Sequence, residues 1–340
     1  MKNGVIVGLG GVGQRHLRNL KSLMPDINVA AIRKRSKTFE INNSLVRNDS
    51  VDINSRYSLE IINETDISTF NPSFAIIANP SAFHSFYACQ FLKRDIPVFI
   101  EKPAAITLEE LNNLTELAEK KKTITMVGYQ LRFHPCYIKL KEYLNNEVIG
   151  DLTSIEVNVS SYLPEWHPYE DFNDLYASNI DMGGGVILTE SHEIDLISDL
   201  FGKIFVEASI GGNLSSNKIK AEDTVCIISH VSENDRKVPV TFNLSFMRKP
   251  LERIIRIHGD LGLITLDLNN NKIIVEYING TKNDELMIDD FDRNLLFIDE
   301  LKHFLECIES NQECKTSLEN TRLGLAAVLD VKEKFLDLTR

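Results

Sequence analysis

Two side chains in this chain have the type and setting to handle charge and protons at a single carbon. Lys102 follows the apolar run Val98-Phe99-Ile100 and Glu101. An ammonium at the C-terminal end of a strand can polarise a carbonyl or stabilise a developing alkoxide. Pro103 restricts Lys102 to an extended backbone and so fixes where its side chain points. Glu101 is placed either to hold the lysine or to reach a ligand bound beside it. His192 follows the run Gly183-Gly184-Gly185, which permits close approach of backbone to a ligand and leads into a helix. An unperturbed imidazole titrates near neutrality, which makes His192 the expected general acid or base. Thr189 and His192 are an i,i+3 pair and share a helical face, with Glu190 about 100° round from Thr189, and Thr189 and Glu190 are the candidate substrate contacts of this segment. Either Thr189 hydrogen-bonds to a substrate, or Glu193 or Asp195 holds the imidazole. His192-Glu193 opens an H-E-x-x-H pattern, but Leu196 ends it, and no metal is expected.

A binding element precedes these residues. Val5-Ile6-Val7 runs into a G-x-G-x-x-G turn of Gly8, Gly10 and Gly13, with Gly11 and Val12 inside it, and then a helical stretch to about Leu20. Gly8 allows the tight turn, Gly10 lets backbone approach a pyrophosphate, and Gly13 lets helix pack on strand. The helix N-terminus presents N–H groups and a partial positive charge. With a second strand at Asn28 to Ile32, the pattern becomes a dinucleotide-binding fingerprint. An NAD site carries Asp or Glu near the end of that second strand. This chain has Arg33-Lys34-Arg35-Ser36 there. A guanidinium can bind a 2′-phosphate and stack on adenine, so Arg33 and Lys34 make NADP the expected cofactor and NAD the alternative.

Composition narrows the partners. The 340 residues predict about two domains, and 43% hydrophobic and 25% charged residues describe an ordinary globular chain. A net charge of -12 argues against nucleic acid, which demands clustered cations. No apolar run reaches the roughly 20 residues of a membrane helix, and the first strand begins too early for a signal peptide. Five scattered cysteines read as incidental thiols of a reducing compartment. The expectation is a cytoplasmic protein that binds small molecules.

The elements that must position these groups divide in two. Strands at Phe74 to Ala78, Pro97 to Ile100 and Ile124 to Val127 alternate with helical patterns at Phe83 to Arg94 and Leu108 to Lys121, where Thr107 and Glu110 have capping-box spacing. Such alternation predicts a doubly wound parallel sheet with its ligand at the strand C-terminal ends. Later runs alternate polar and apolar residues as half-exposed antiparallel strands do: Thr153 to Val159, Val225 to His230, Val238 to Phe246, Arg253 to His258, Leu263 to Leu268 and Lys272 to Tyr277. Amphipathic helices at Ile298 to Ile308 and Leu318 to Phe335 close the chain. Residues 1–125 are the expected nucleotide-binding domain. Residues 126–340 are the expected substrate and oligomerisation domain, with the last helix packing back on the first. Tyr162 to Tyr169 reads as a proline-interrupted loop whose Trp166 and His167 suit a substrate lid, since aromatic faces stack on sugar rings. Arg248, Lys249 and Arg253 read as solvated cations.

The order of Gly8-x-Gly10-x-x-Gly13, Asn79-Pro80-Ser81-Ala82-Phe83-His84, Glu101-Lys102-Pro103, Gly128-Tyr129-Gln130-Leu131-Arg132-Phe133 and Gly183-Gly184-Gly185 … His192 resembles the glucose-fructose oxidoreductase, inositol dehydrogenase and rhizopine catabolism (Gfo/Idh/MocA) family over essentially the whole chain. The resemblance implies an α/β protein with an N-terminal Rossmann domain and a C-terminal α/β domain built on a large, mostly antiparallel open sheet. It implies a nicotinamide between them and hydride transfer to or from a hydroxyl-bearing carbon of a sugar, amino sugar or nucleotide sugar. Asn79, Pro80, His84, Glu101 and Lys102 become cofactor contacts, and Tyr129 and Arg132 substrate contacts. An open sheet in the second domain implies a homodimer or homotetramer. This chain departs from the family by carrying Gln130 for the usual Asn, Thr189 for the usual Asp and His192 one residue early. The Trp166-His167-Pro168 loop is similar to members found with bacterial sialic-acid-like surface-sugar pathways. Two other activities stay open: elimination or hydrolysis of a glycoside through transient oxidation by tightly bound NAD, and a nucleotide-sensing regulator without catalysis.

Overall fold

The computed structural model describes residues 2–34, 38–42, 44–280 and 283–339, so Arg35 and Ser36 lie outside the described residues. Its first sheet is wholly parallel. Strand order is Glu60–Ile61, Asn28–Ile32, Asn3–Val7, Phe74–Ile77, Val98–Ile100, Thr125–Val127. The strands are near-continuous apolar runs because helices cover both faces, and Val5, Ile6, Ala75, Ile76, Val98 and Phe99 are all fully buried. After Asn3–Val7 the chain winds outward to Glu60–Ile61, then returns to add Phe74–Ile77 on the opposite side. That reversal opens a crevice at the C-terminal ends of Asn3–Val7 and Phe74–Ile77, where a doubly wound sheet binds its ligand. The helices Gly11–Leu23, His84–Leu92 and Leu108–Lys121 connect these strands. Thr107 caps the last of them by accepting from Glu110 N at 3.2 Å, whereas the Glu110 carboxylate accepts from Ile106 N rather than from the cap residue.

The second sheet has nine strands in the order Asp284–Met287, Lys272–Tyr277, Gly262–Asp267, Met247–Gly259, Leu152–Tyr162, Arg236–Ser245, Thr224–Glu233, Phe205–Gly212, Phe335–Asp337. Neighbours run antiparallel except where Leu152–Tyr162 meets Arg236–Ser245 and where Phe205–Gly212 meets Phe335–Asp337. One face is buried through Val225, Ile227, Val240, Phe242 and Ile255, while Cys226 and Ile228 on the other are exposed. The strand Phe205–Gly212 escaped the sequence reading because its apolar residues do not alternate cleanly.

Thr125–Val127 is the sixth strand of the first sheet, so a domain boundary at residue 125 cuts through it, and Gly128 is the first residue beyond the sheet. Two helices return to the first domain: Asn294–Ser310 packs on Gly11–Leu23, and the last helix packs on Leu108–Lys121 and Thr125–Val127. Phe304 meets Phe74 and Phe99 edge-on at 6.0 and 5.8 Å, and the Arg15 guanidinium lies 4.4 Å over the Phe297 ring. The following helix, Leu318–Glu333, bridges the halves by touching both Leu108–Lys121 and His192–Phe201. Among the described residues no helix is long and apolar enough to cross a membrane, and all five cysteines are free.

Candidate active site

The glycine turn is shaped for a dinucleotide. Gly8 has φ +90°, and a Cβ there would stand 2.8 Å from Ala78 O, while a Cβ on Gly13 would stand 2.0 Å from Gly8 O. Both positions therefore exclude a side chain so that strand, turn and helix can close together. Nothing lies within 4 Å of the Cβ position of Gly10, which leaves room where a diphosphate would meet the helix N-terminus. Across the crevice, Asn79 Oδ1 is buried without a hydrogen-bond partner. His84 straps that segment down, its Nδ1 lying 2.8 Å from Pro103 O and its Nε2 2.7 Å from Asn79 O. At the outer end of the crevice, Lys34 Nζ is 5.5 Å over the Phe83 ring. Arg33 is half-buried, and burial lowers its pKa against the opposing charge of Asp52. Glu40, the first carboxylate after the second strand, is turned away and accepts from Arg56 Nη1 at 2.6 Å. Room at Gly10, closed packing at Gly8 and Gly13 and the unpartnered Asn79 oxygen all fit a dinucleotide.

Lys102 extends from the end of Val98–Ile100 across to the second domain, where its ammonium donates to Thr189 O at 2.5 Å. Burial pulls its pKa below the ordinary lysine value, opposed by Glu190 and Glu101. Glu101 does not hold the ammonium. Its carboxylate pairs with His16 Nε2 at 2.6 Å and accepts from the Lys102 backbone N–H at 3.3 Å. His16 lies on the Gly11–Leu23 helix, so this pair ties the lysine loop to the nucleotide helix. Beside it Glu300 is fully buried without a partner, and burial and the neighbouring Glu101 raise its pKa well above the ordinary carboxylate value.

The segment carrying His192 differs from the expected single helix. It forms two helices, Val186–Thr189 and His192–Phe201, with Glu190 and Ser191 between them. Shared-face spacing therefore does not relate Thr189 to His192. The break turns Glu190 inward, where its carboxylate accepts from Arg253 Nη2 at 2.6 Å and from Ser161 Oγ at 3.0 Å. Arg253 also donates to Glu193 Oε1 at 2.5 Å. It is a largely buried bridge between two carboxylates, not a solvated cation. Burial raises the Glu190 pKa, but Arg253 and Lys102 outweigh it and leave the group ionised below the usual carboxylate range. For Glu193 burial wins, and its pKa is raised. Arg253→Met would strand two carboxyls that are at most 3% exposed. The expected loss is about 3–5 kcal/mol of unfolding free energy, read from urea denaturation at neutral pH.

His192 is 5% exposed, with the Tyr129 ring edge-on to it at 5.7 Å and its Nδ1 unpartnered. Neither Glu193 nor Asp195 holds the imidazole, because Glu193 is committed to Arg253 and Asp195 to Arg132. Burial drives its pKa well below 6.5, helped by the positive charges of Lys102, Arg253 and Arg293. His192 is therefore neutral near pH 7, able to take a proton. Thr189 is buried with its hydroxyl oxygen unpartnered in the same place.

Other expected contacts sit elsewhere. Arg132 donates to both Asp195 oxygens, at 2.8 and 2.7 Å, and to Asp199 at 2.8 Å. With those donors engaged and its side chain 5% exposed, it is a structural brace rather than a substrate contact. The glycine run faces protein, not ligand. A Cβ on Gly183 would stand 2.8 Å from Ala82 N, one on Gly184 2.2 Å from Tyr176 O, and one on Gly185 2.1 Å from Glu222 Oε1. Gly183 thereby docks the second domain on the Asn79–His84 segment. Trp166 packs edge-on to Phe246 at 5.3 Å, and His167 pairs with Glu170 at 2.9 Å while stacking on Tyr169. Arg248 and Lys249 are exposed and pair with Glu252 and Glu165.

A six-stranded parallel sheet with a glycine turn, joined to a second, open sheet through the Lys102–Thr189 contact, defines a two-domain, dinucleotide-binding class of protein. Residues 2–129 match the family described as "Oxidoreductase family, NAD-binding Rossmann fold", and residues 137–265 match the Gfo/Idh/MocA C-terminal domain. The chain belongs to the Gfo/Idh/MocA oxidoreductase family. It is 26% identical over 200 residues to Oxidoreductase P35 of Formosa agariphila, a stretch covering 58% of this chain and 60% of that protein. It is also 23% identical to myo-inositol 2-dehydrogenase of Thermotoga maritima, over 97% of this chain and 96% of the relative. An oxidoreductase from Agrobacterium radiobacter, solved with NAD+, L-tartaric acid and magnesium, shares the fold at TM-score 0.78 and 16% identity, covering 98% of this chain and 96% of that one.

Proposed function

We propose that this chain transfers a hydride between NADP and a hydroxyl or keto carbon of a sugar, amino sugar or nucleotide sugar. The observation that carries the reading is that Lys102, bonded across to Thr189 O, brings its charge to bear on the buried His192. A bound nicotinamide supplies the hydride acceptor or donor. His192 takes the hydroxyl proton during oxidation, and Lys102 stabilises the alkoxide that forms. Burial lowers the Lys102 pKa, and the charges of Glu190 and Glu101 oppose that shift by favouring the ammonium. Thr189 and Tyr129 line the same cleft and are the proposed substrate contacts, whereas Trp166 and His167 are too engaged with protein to carry that role. The name of the inositol dehydrogenase relative supports a polyol-like substrate.

Arg33 and Lys34 at the end of the second strand, with no carboxylate nearby before Glu40, support NADP over NAD. Arg33→Ala should weaken NADPH binding about tenfold and leave NADH unchanged, by titration of cofactor fluorescence. Wild-type protein that binds NAD tenfold more tightly than NADP would overturn this preference. The exposed face around Cys226 and Ile228 supports a homodimer or homotetramer, which solution mass would report.

A further inference from the structure

The loop expected to cover a substrate instead reaches the nucleotide turn. Tyr169 comes from the second domain, yet its hydroxyl stands 2.9 Å from the Cβ position of Gly11, the first residue of the Gly11–Leu23 helix. That hydroxyl oxygen is buried and has no hydrogen-bond partner. A buried hydroxyl without a partner is a costly arrangement that a bound acceptor removes. The adjacent Gly10 position is open, so the acceptor has a place beside the helix N-terminus. The loop is built to hold the tyrosine there. Leu163 N donates to Phe246 O at 2.7 Å, Trp166 packs on Phe246, and the His167 ring stacks on Tyr169 at 5.2 Å and 16°.

We propose that Tyr169 is a cofactor-binding residue, its hydroxyl donating to the dinucleotide diphosphate at the helix N-terminus so that the 163–170 loop straps the cofactor between the domains. The hydroxyl and the free N–H groups at the start of the helix then converge on one anionic group from opposite sides. Because the strap belongs to the second domain, the cofactor leaves only when that loop lifts. The 163–170 loop thus governs cofactor exchange rather than substrate entry.

This inference rests on the dinucleotide reading, and one titration separates the two. Wild type and Tyr169→Phe are titrated with NADPH and NADH, and cofactor release is timed by stopped flow. Phenylalanine keeps the ring stacked on His167, so the Tm without cofactor should stay unchanged. The expected result is dinucleotide affinity weakened about tenfold and release faster by a similar factor, since a hydrogen bond to a charged acceptor is lost. Reduced nicotinamide riboside, which has no phosphate, should bind both proteins alike, and KM for the sugar at saturating cofactor should not move. Unchanged dinucleotide affinity overturns the assignment. Tighter binding overturns it too, because the hydroxyl would then occupy the phosphate position and exclude it. Failure of wild type to bind either dinucleotide sinks the cofactor reading itself.

Discussion

Lys102→Met should lower kcat by about 10²–10³-fold while changing the dinucleotide dissociation constant by no more than a few-fold. The asymmetry follows from where the ammonium lies. It donates to Thr189 O on the second domain and not to the glycine turn. Its effect is felt chiefly when negative charge develops on a substrate oxygen. Steady-state rates beside a fluorescence titration separate the two quantities. Equal losses in rate and cofactor affinity would mean that Lys102 holds the cofactor rather than the reacting oxygen.

His192→Asn should cost about 10²–10⁴-fold in the rate of oxidation and remove the acid limb of its pH profile. The base works only when neutral, so activity is lost as pH falls through its pKa. Burial and the nearby charges of Lys102, Arg253 and Arg293 hold that pKa well below 6.5. The wild-type acid limb should therefore lie well below the ordinary histidine range, and Lys102→Met should move it upward by removing one cation. Stability follows the same sign. The folded pKa is below the unfolded value of about 6.5, so this group's contribution is complete above that pH and lost as pH falls through the folded pKa. Wild type and His192→Asn should thus differ in acid sensitivity as well as in rate, which thermal melts across the acid range would record.

The parts of this molecule governed by local rules were readable in the residues. Gly8 and Gly13 are glycine because strand and helix close on them, and the Leu108–Lys121 helix begins at its Thr107 cap. Long-range pairing was not readable. Arg253 sits on a strand and looks like a surface cation until the second sheet brings it against Glu190 and Glu193. Arg132 has a substrate-contact position by resemblance, yet Asp195 and Asp199 on another helix occupy its donors. The break after Thr189 likewise depends on partners distant in sequence, with Lys102 on its carbonyl and Arg253 on Glu190. Tyr169 carried no motif at all. Only its distance to Gly11 and its unpartnered hydroxyl distinguish it from an ordinary loop aromatic.

Hydride transfer to nicotinamide at Lys102 and His192 has a direct test. A panel of sugars, amino sugars and nucleotide sugars, each mixed with the protein and NADP or NAD, tests it through the absorbance of reduced nicotinamide. One substrate class should give net, stoichiometric cofactor reduction, and Lys102→Met and His192→Asn should each suppress it while still binding dinucleotide. Sugar turnover without net change in the cofactor, or reduction that persists undiminished in both variants, would contradict it.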